Sequence, residues 1–153
     1  MVSISIEYTG GLHCNARHGP SGAKIETDAP AENQGKAEAF SPTDLVATAL
    51  GTCIATTLAI VGERHGVELK EMTVSVSKEM TDAPRRIGRL TTEVHVPLPA
   101  DHPQRELLEN AALGCPVHPS PPAGVGGRAG VFWEGEGSAG GATGGVRPWA
   151  PAP

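Results

Sequence analysis

The sequence predicts an α+β fold from three observations. Residues 2–8, 72–77 and 90–96 alternate apolar and polar side chains, the period of strands with one face buried. Between the first and second of these lies one long apolar run, FSPTDLVATALGTCIATTLAIV, uncharged from Leu45 onward, which predicts a helix from Pro42 to about His65. A shorter amphipathic stretch, QRELLENAAL, predicts a second helix ahead of Gly114.

The first strand is read from Val2, Ile4, Ile6 and Tyr8, which share one face against Ser3, Ser5 and Glu7; Gly10 and Gly11 end it. Residues 12–40 are rich in Gly, Asp, Pro and Asn and read as turns and loop, with one short strand at Lys24–Thr27. The long helix opens on Ser41 as N-cap, Pro42 as first helical residue and Asp44 in the position of a capping box. It closes on Arg64, His65 and Gly66, the last expected in the left-handed C′ conformation. At about 1.5 Å per residue it would be roughly 36 Å long, the spine of so small a chain.

Met72, Val74 and Val76 on one run and Leu90, Thr92, Val94 and Val96 on the next predict a hairpin turning at Thr81–Pro84. In the second helix Leu107, Leu108, Ala111 and Ala112 form the apolar side. From Pro119 onward nearly half the residues are Gly or Pro, so one domain is expected over 1–133 and a disordered tail over 134–153. GVGGRAG at 124–130 lacks the glycine spacing of a phosphate loop.

Composition narrows the function. The net charge is -5 with no basic run, which argues against nucleic acid or an anionic membrane as partner and points to small molecules. Only Tyr8, Phe40, Phe132, Trp133 and Trp149 are aromatic, so the core is thin for one chain and a shared core with a partner is expected. The uncharged run from Leu45 to Gly62 just reaches membrane-spanning length, but its threonines and glycines read better as a buried core helix. MVSISIEYTGG carries no basic segment and apolar h-region, so a cytoplasmic protein is expected, and in that reducing compartment its three cysteines suggest free thiols, redox work or metal.

Those cysteines carry the chemistry. Cys53 sits in the middle of the apolar helix, where a thiol is usually a small hydrophobe. Cys115 lies between the helix stop Gly114 and Pro116, a place where a helix N-terminus would stabilise thiolate. Cys115 and His118 have half of a zinc-ligand spacing, and no second half exists; His13 and Cys14 are adjacent, and Cys14 reads as an idle loop thiol. The serine motif G-x-S-x-G is absent.

Taken together, SPTDLVATALGTC, the following hairpin and LLENAALGCPVH resemble the osmotically inducible and organic hydroperoxide resistance proteins, the OsmC/Ohr family, over roughly residues 1–120. The resemblance implies an OsmC-like fold, an antiparallel sheet packed on a long central helix, in an intertwined homodimer with sites at the subunit interface. It further implies a thiol peroxidase in which Cys53 attacks an organic hydroperoxide, Cys115 resolves the sulfenic acid as a disulfide, and an external dithiol, lipoyl-type in the family, restores both. No metal, flavin or other cofactor is implied.

The chain departs from that pattern twice. Where the peroxidase branch has a glutamate after the helix-starting proline this chain has Thr43, and the neighbouring Asp44 falls on the helix face opposite Cys53. Where the family has its arginine, just after the first strand, this chain has Leu12 and His13, which leaves Arg17 as the candidate cation. After CPVH, Pro119, Pro121 and Pro122 would break the family's last helix, and the segment 125–133 reads either as a degenerate last strand or as one garbled by a sequence change. The rival to a peroxidase is a non-enzymatic protein of the same fold that binds a small hydrophobic molecule at the dimer cleft.

Overall fold

A computed structural model describes residues 1–118, 126–134 and 147–148. The chain forms two compact units, Met1–Val46 and the remainder from Ala47.

The first unit is a three-stranded antiparallel sheet in the order β1 (Ile4–Gly10), β2 (His13–His18) and β3 (Lys24–Asp28). β2 lies inside the stretch read as loop. Its apolar residues are only Cys14 and Ala16, too small to announce a buried face, and it is extended because β1 and β3 pair with both of its edges. The alternation in β1 is real, but its apolar face is not buried within this unit: Ile4, Ile6 and Tyr8 are 63, 71 and 64 % exposed. Register puts them on one face with Cys14, Ala16 and the exposed Ile25. Nothing in the unit is left to cover that face, because the rest of it is the polar loop that follows β3. Asp28 organises this loop. Its buried carboxylate accepts the Glu38 N–H at 3.1 Å, and the Asp28 N–H donates to the Phe40 carbonyl. That backbone hydrogen bond, helped by the nearby His13, holds the Asp28 carboxyl below the usual carboxylate range.

Helix α1 runs Pro42–Arg64. Its start is the expected capping box: Asp44 Oδ2 accepts both the Ser41 N–H at 2.8 Å and the Ser41 hydroxyl at 2.7 Å, and the Asp44 N–H donates to Ser41 Oγ at 3.2 Å. Its end is a Schellman motif. Gly66 has φ +70°, its N–H reaches the Glu63 carbonyl, and the Val67 N–H reaches that of Gly62. By length and composition α1 could cross a membrane, a weak signal that core helices also give.

The second unit packs α1 on a four-stranded sheet in the order β4 (Thr73–Asp82), β5 (Arg85–Pro99), β6 (Gly126–Glu134) and β7 (Arg147–Pro148). The β4–β5 hairpin turns at the expected place, and Leu90, Val94 and Val96 join Leu50, Ile54 and Leu58 of α1 in the core. Each such side chain contributes about 1.5–3 kcal/mol by leaving water. Close approach sets one position: a Cβ on Gly51 would stand 2.9 Å from Val76 Cγ2, so only glycine lets β4 lie this near α1.

Helix α2 (Arg105–Leu113) buries Leu108 and Ala112 in the same core. The segment expected to be degenerate does form a strand. β6 pairs in parallel with β5 over Arg89↔Gly126 to Val96↔Trp133, whereas the other pairings of both sheets are antiparallel. Its glycines are tolerated because Phe132 and Trp133 are buried: Phe132 stacks on His95 at 5.4 Å, and Trp133 donates its Nε1–H to Glu109 Oε1 at 3.2 Å. Arg105 donates to the same carboxylate oxygen at 2.8 Å and lies 5.4 Å from the Trp133 ring centroid. The helix-breaking prolines 119, 121 and 122 lie outside the described residues, as does most of the 134–153 tail.

Candidate functional site

Two cysteines far apart in sequence meet in the second unit. Cys53 is half-buried in the middle of α1, packed against the core beside Leu50 and Ile54. Cys115 is fully buried, one residue beyond Gly114, where α2 has ended. Cys53 packs against the core cluster to which Cys115 belongs. Both are free thiols.

The elements explain the meeting. Apolar packing fixes α1 through Leu50, Ile54 and Leu58, and α2 through Leu108 and Ala112, all in one cluster that also contains Cys115. The chain leaves α2 at Gly114, whose N–H still reaches the Asn110 and Ala111 carbonyls, and turns at once through Pro116. The His118 N–H meets the Cys115 carbonyl at 3.0 Å and closes that turn.

Electrostatics distinguish the two sulfurs. Burial pushes the Cys115 thiol above its ordinary value, and the adjacent Cys53 thiol adds to that push. The backbone at His118 and Val117 offsets part of that rise.

The Cys53 face of α1 mixes apolar residues with Thr56 and Thr57 and is partly open. Val46 and Ile60 stand seven residues to either side of Cys53, two turns away on the same side of the helix, and both are exposed. Thr43 replaces the family glutamate and its hydroxyl meets Ser41 Oγ at 3.1 Å, while Asp44 is engaged in the cap. Arg17 belongs to the first unit, exposed on β2, with its guanidinium near Gly22. Cys14 is half-buried on β2, opposite Tyr8 and Thr27.

His118, read from spacing as half of a zinc site, has another role. Its Nδ1 lies 2.8 Å from the Leu113 carbonyl, and among the described residues no three His, Cys, Asp or Glu side chains gather into a metal-ligating group. Missed from the sequence was the turn that the His118 N–H closes on the Cys115 carbonyl. Backbone donors leave no residue-type signal, although the proline after Cys115 hinted at a turn there.

The fold is α+β, and its second unit carries two free cysteines packed about one core cluster. The chain belongs to the OsmC-like protein family, whose family model matches residues 35–121. A protein from Psychrobacter arcticus, named for osmotic stress induction and detoxification response, is similar at 34 % identity, with 86 % of this chain and 96 % of that one covered and a TM-score of 0.81. An organic hydroperoxide resistance protein OsmC from Legionella pneumophila shares the fold at 19 % identity and TM-score 0.66, covering 86 % and 96 %. So does an organic hydroperoxide resistance protein from Elizabethkingia anophelis, at 17 % identity and TM-score 0.67 with the same coverage. No curated protein matches the sequence.

Proposed function

We propose that this chain is a cysteine-dependent thiol peroxidase that reduces organic hydroperoxides. The observation that carries the reading is that Cys53 packs against the same core cluster that contains Cys115, two free thiols brought together from positions far apart in the chain. Cys53 thiolate attacks the terminal oxygen of the hydroperoxide; the O–O bond breaks, Cys53 becomes a sulfenic acid and the alkoxide leaves to take a proton as the alcohol. Cys115 then attacks the Cys53 sulfur, water departs and a disulfide closes. An external dithiol, of lipoyl type by family resemblance, reduces that disulfide and is itself oxidised to a cyclic disulfide.

Val46 and Ile60, exposed on the Cys53 side of α1, favour a hydrophobic substrate. Mid-helix placement gives Cys53 no help from the helix dipole, so a cation is needed for the departing oxygen, and Arg17 is assigned to it. A second copy of the chain is the natural cover for the bare face of β1–β3, which supports the homodimer. A cytoplasmic location agrees with unpaired thiols.

Consumption of cumene hydroperoxide by the purified protein with dihydrolipoamide, compared with Cys53→Ser, tests the reading. Turnover by the parent protein and none by the variant is expected. No consumption by either above the reductant-only control overturns it and leaves the rival, a binder of small hydrophobic molecules that the loss of the glutamate at Thr43 would favour.

A further inference from the structure

We infer that Arg105 is a positioning residue for Cys115: its guanidinium ties the start of α2 to the end of β5 and to Trp133 of β6, and so fixes where α2 delivers Cys115. Local helix energetics argue against an arginine at this place. Arg105 is the first residue of α2, at the positive end of the helix dipole, and it precedes its partner Glu109 by four residues, the less favourable order for a cation and an acid on one helix. Its tertiary contacts supply what the local rules do not. Nε donates to Glu109 Oε1 at 2.8 Å, Nη1 donates at 2.9 Å to the carbonyl of Ala100, the residue after β5, and the guanidinium lies 5.4 Å from the centroid of the Trp133 ring. Trp133 closes the knot by donating its Nε1–H to the same Glu109 oxygen at 3.2 Å.

Helix α2 needs such a tie. It has nine residues, too few to hold their shape alone, its N-cap residue Gln104 makes no side-chain capping bond, and only Leu108 and Ala112 of it are buried. Apolar burial keeps the helix on the core but is non-directional, so it sets height and rotation weakly; hydrogen bonds to two neighbouring segments set both. Trp133 belongs to the same cluster as Leu108, Ala112 and Cys115, so the knot and the thiol share one packed body. An ammonium has neither the fixed fork nor the flat face that this place uses.

The consequence rests on the peroxidase reading. Closing the disulfide brings the two sulfurs to about 2.05 Å while the Cys53 sulfenic hydroxyl leaves with the Cys115 proton as water, a geometry with little tolerance. Arg105 therefore governs closure and not the first oxidation, which Cys53 performs on α1.

The inference is tested without any peroxide. In a Cys14→Ser background the fraction of Cys53–Cys115 disulfide is measured by alkylation and mass spectrometry in lipoate–dihydrolipoate buffers of graded ratio. Arg105→Lys and Arg105→Gln should lower the equilibrium constant for closure about tenfold, a shift of about 30 mV. Ile87→Ala, which removes core volume near the hairpin turn instead, should keep the parent's constant. Circular dichroism selects the variants that fold, and either Lys or Gln suffices. A folded Arg105 variant with the parent's constant, an Ile87→Ala shift as large as that of the Arg105 variant, or a parent that never closes the disulfide overturns the inference. With one equivalent of cumene hydroperoxide, the folded Arg105 variant should oxidise Cys53 at the parent's rate and close the disulfide about tenfold more slowly, leaving more sulfenic acid for dimedone to trap. An equal fall in both rates overturns it. Failure of the parent to consume the hydroperoxide would sink the peroxidase reading and leave the redox equilibrium to decide the role of Arg105.

Discussion

Three side chains carry opposite burdens. On the proposed peroxidase reading, Cys53 meets the substrate, Cys115 meets Cys53, and Arg17 meets the developing charge. Cys115→Ser should therefore let Cys53 be oxidised once and then stall; one equivalent of hydroperoxide is consumed, dimedone traps the sulfenic acid, and multiple turnover with a dithiol that cannot replace the resolving step is lost. Arg17→Ala should lower kcat/KM for cumene hydroperoxide by about 10²–10³-fold, the cost of removing one donor from a developing oxyanion, with an unchanged circular dichroism spectrum. Burial also makes Cys115 a stability group. In the folded chain its thiol titrates above the ordinary value of 9.0, so the stability of the neutral thiol is intact below the unfolded value and is lost as pH climbs from there through the folded one. Urea unfolding at about pH 7 and about pH 10.5 should show a drop for the parent that is smaller in Cys115→Ala.

At the scale of elements, β6 is the least self-sufficient piece. Glycine and alanine give its first half little to pack, so its attachment depends on Phe132, Trp133 and the Glu109 carboxylate of α2, which serves Trp133 and Arg105 at once. Glu109→Ala leaves the indole N–H of a side chain only 2 % exposed without its acceptor. It should lower unfolding free energy by about 1–3 kcal/mol in a urea titration. Because α2 delivers Cys115, loosening this corner should also slow disulfide formation. The helices and the β4–β5 hairpin were legible in advance, since Ser41, Asp44, Gly66, and the period-two run from Leu90 to Val96 each state a local rule. β2 was not, because its conformation comes from pairing on both edges, and β6 was legible only as one of two readings of 125–133.

For the whole molecule, the decisive feature is what one chain leaves uncovered. Ile4, Ile6, Tyr8 and Ile25 make an apolar face that no element of the first unit covers, and a dimer is the assembly that would remove it from water at about 25 cal/mol per Å². Ile6→Glu places a charge at its centre. Sedimentation velocity should show a dimer for the parent and a monomer for this variant, with peroxide turnover falling in parallel if the site needs the second copy. A parent that sediments as a monomer refutes the assembly.

The sequence by itself determined the α+β class, the capped central helix, the hairpin and the two cysteines worth following, because capping, turn chemistry and hydrophobic period act between near neighbours in the chain. Sequence spacing could not say that Cys53 packs against the cluster that holds Cys115, that the His118 N–H closes a turn on the Cys115 carbonyl, or that His118 spends its ring on the end of α2 rather than on a metal. Those depend on packing between residues more than sixty positions apart and on backbone donors that every residue type carries, so only the tertiary structure decided them.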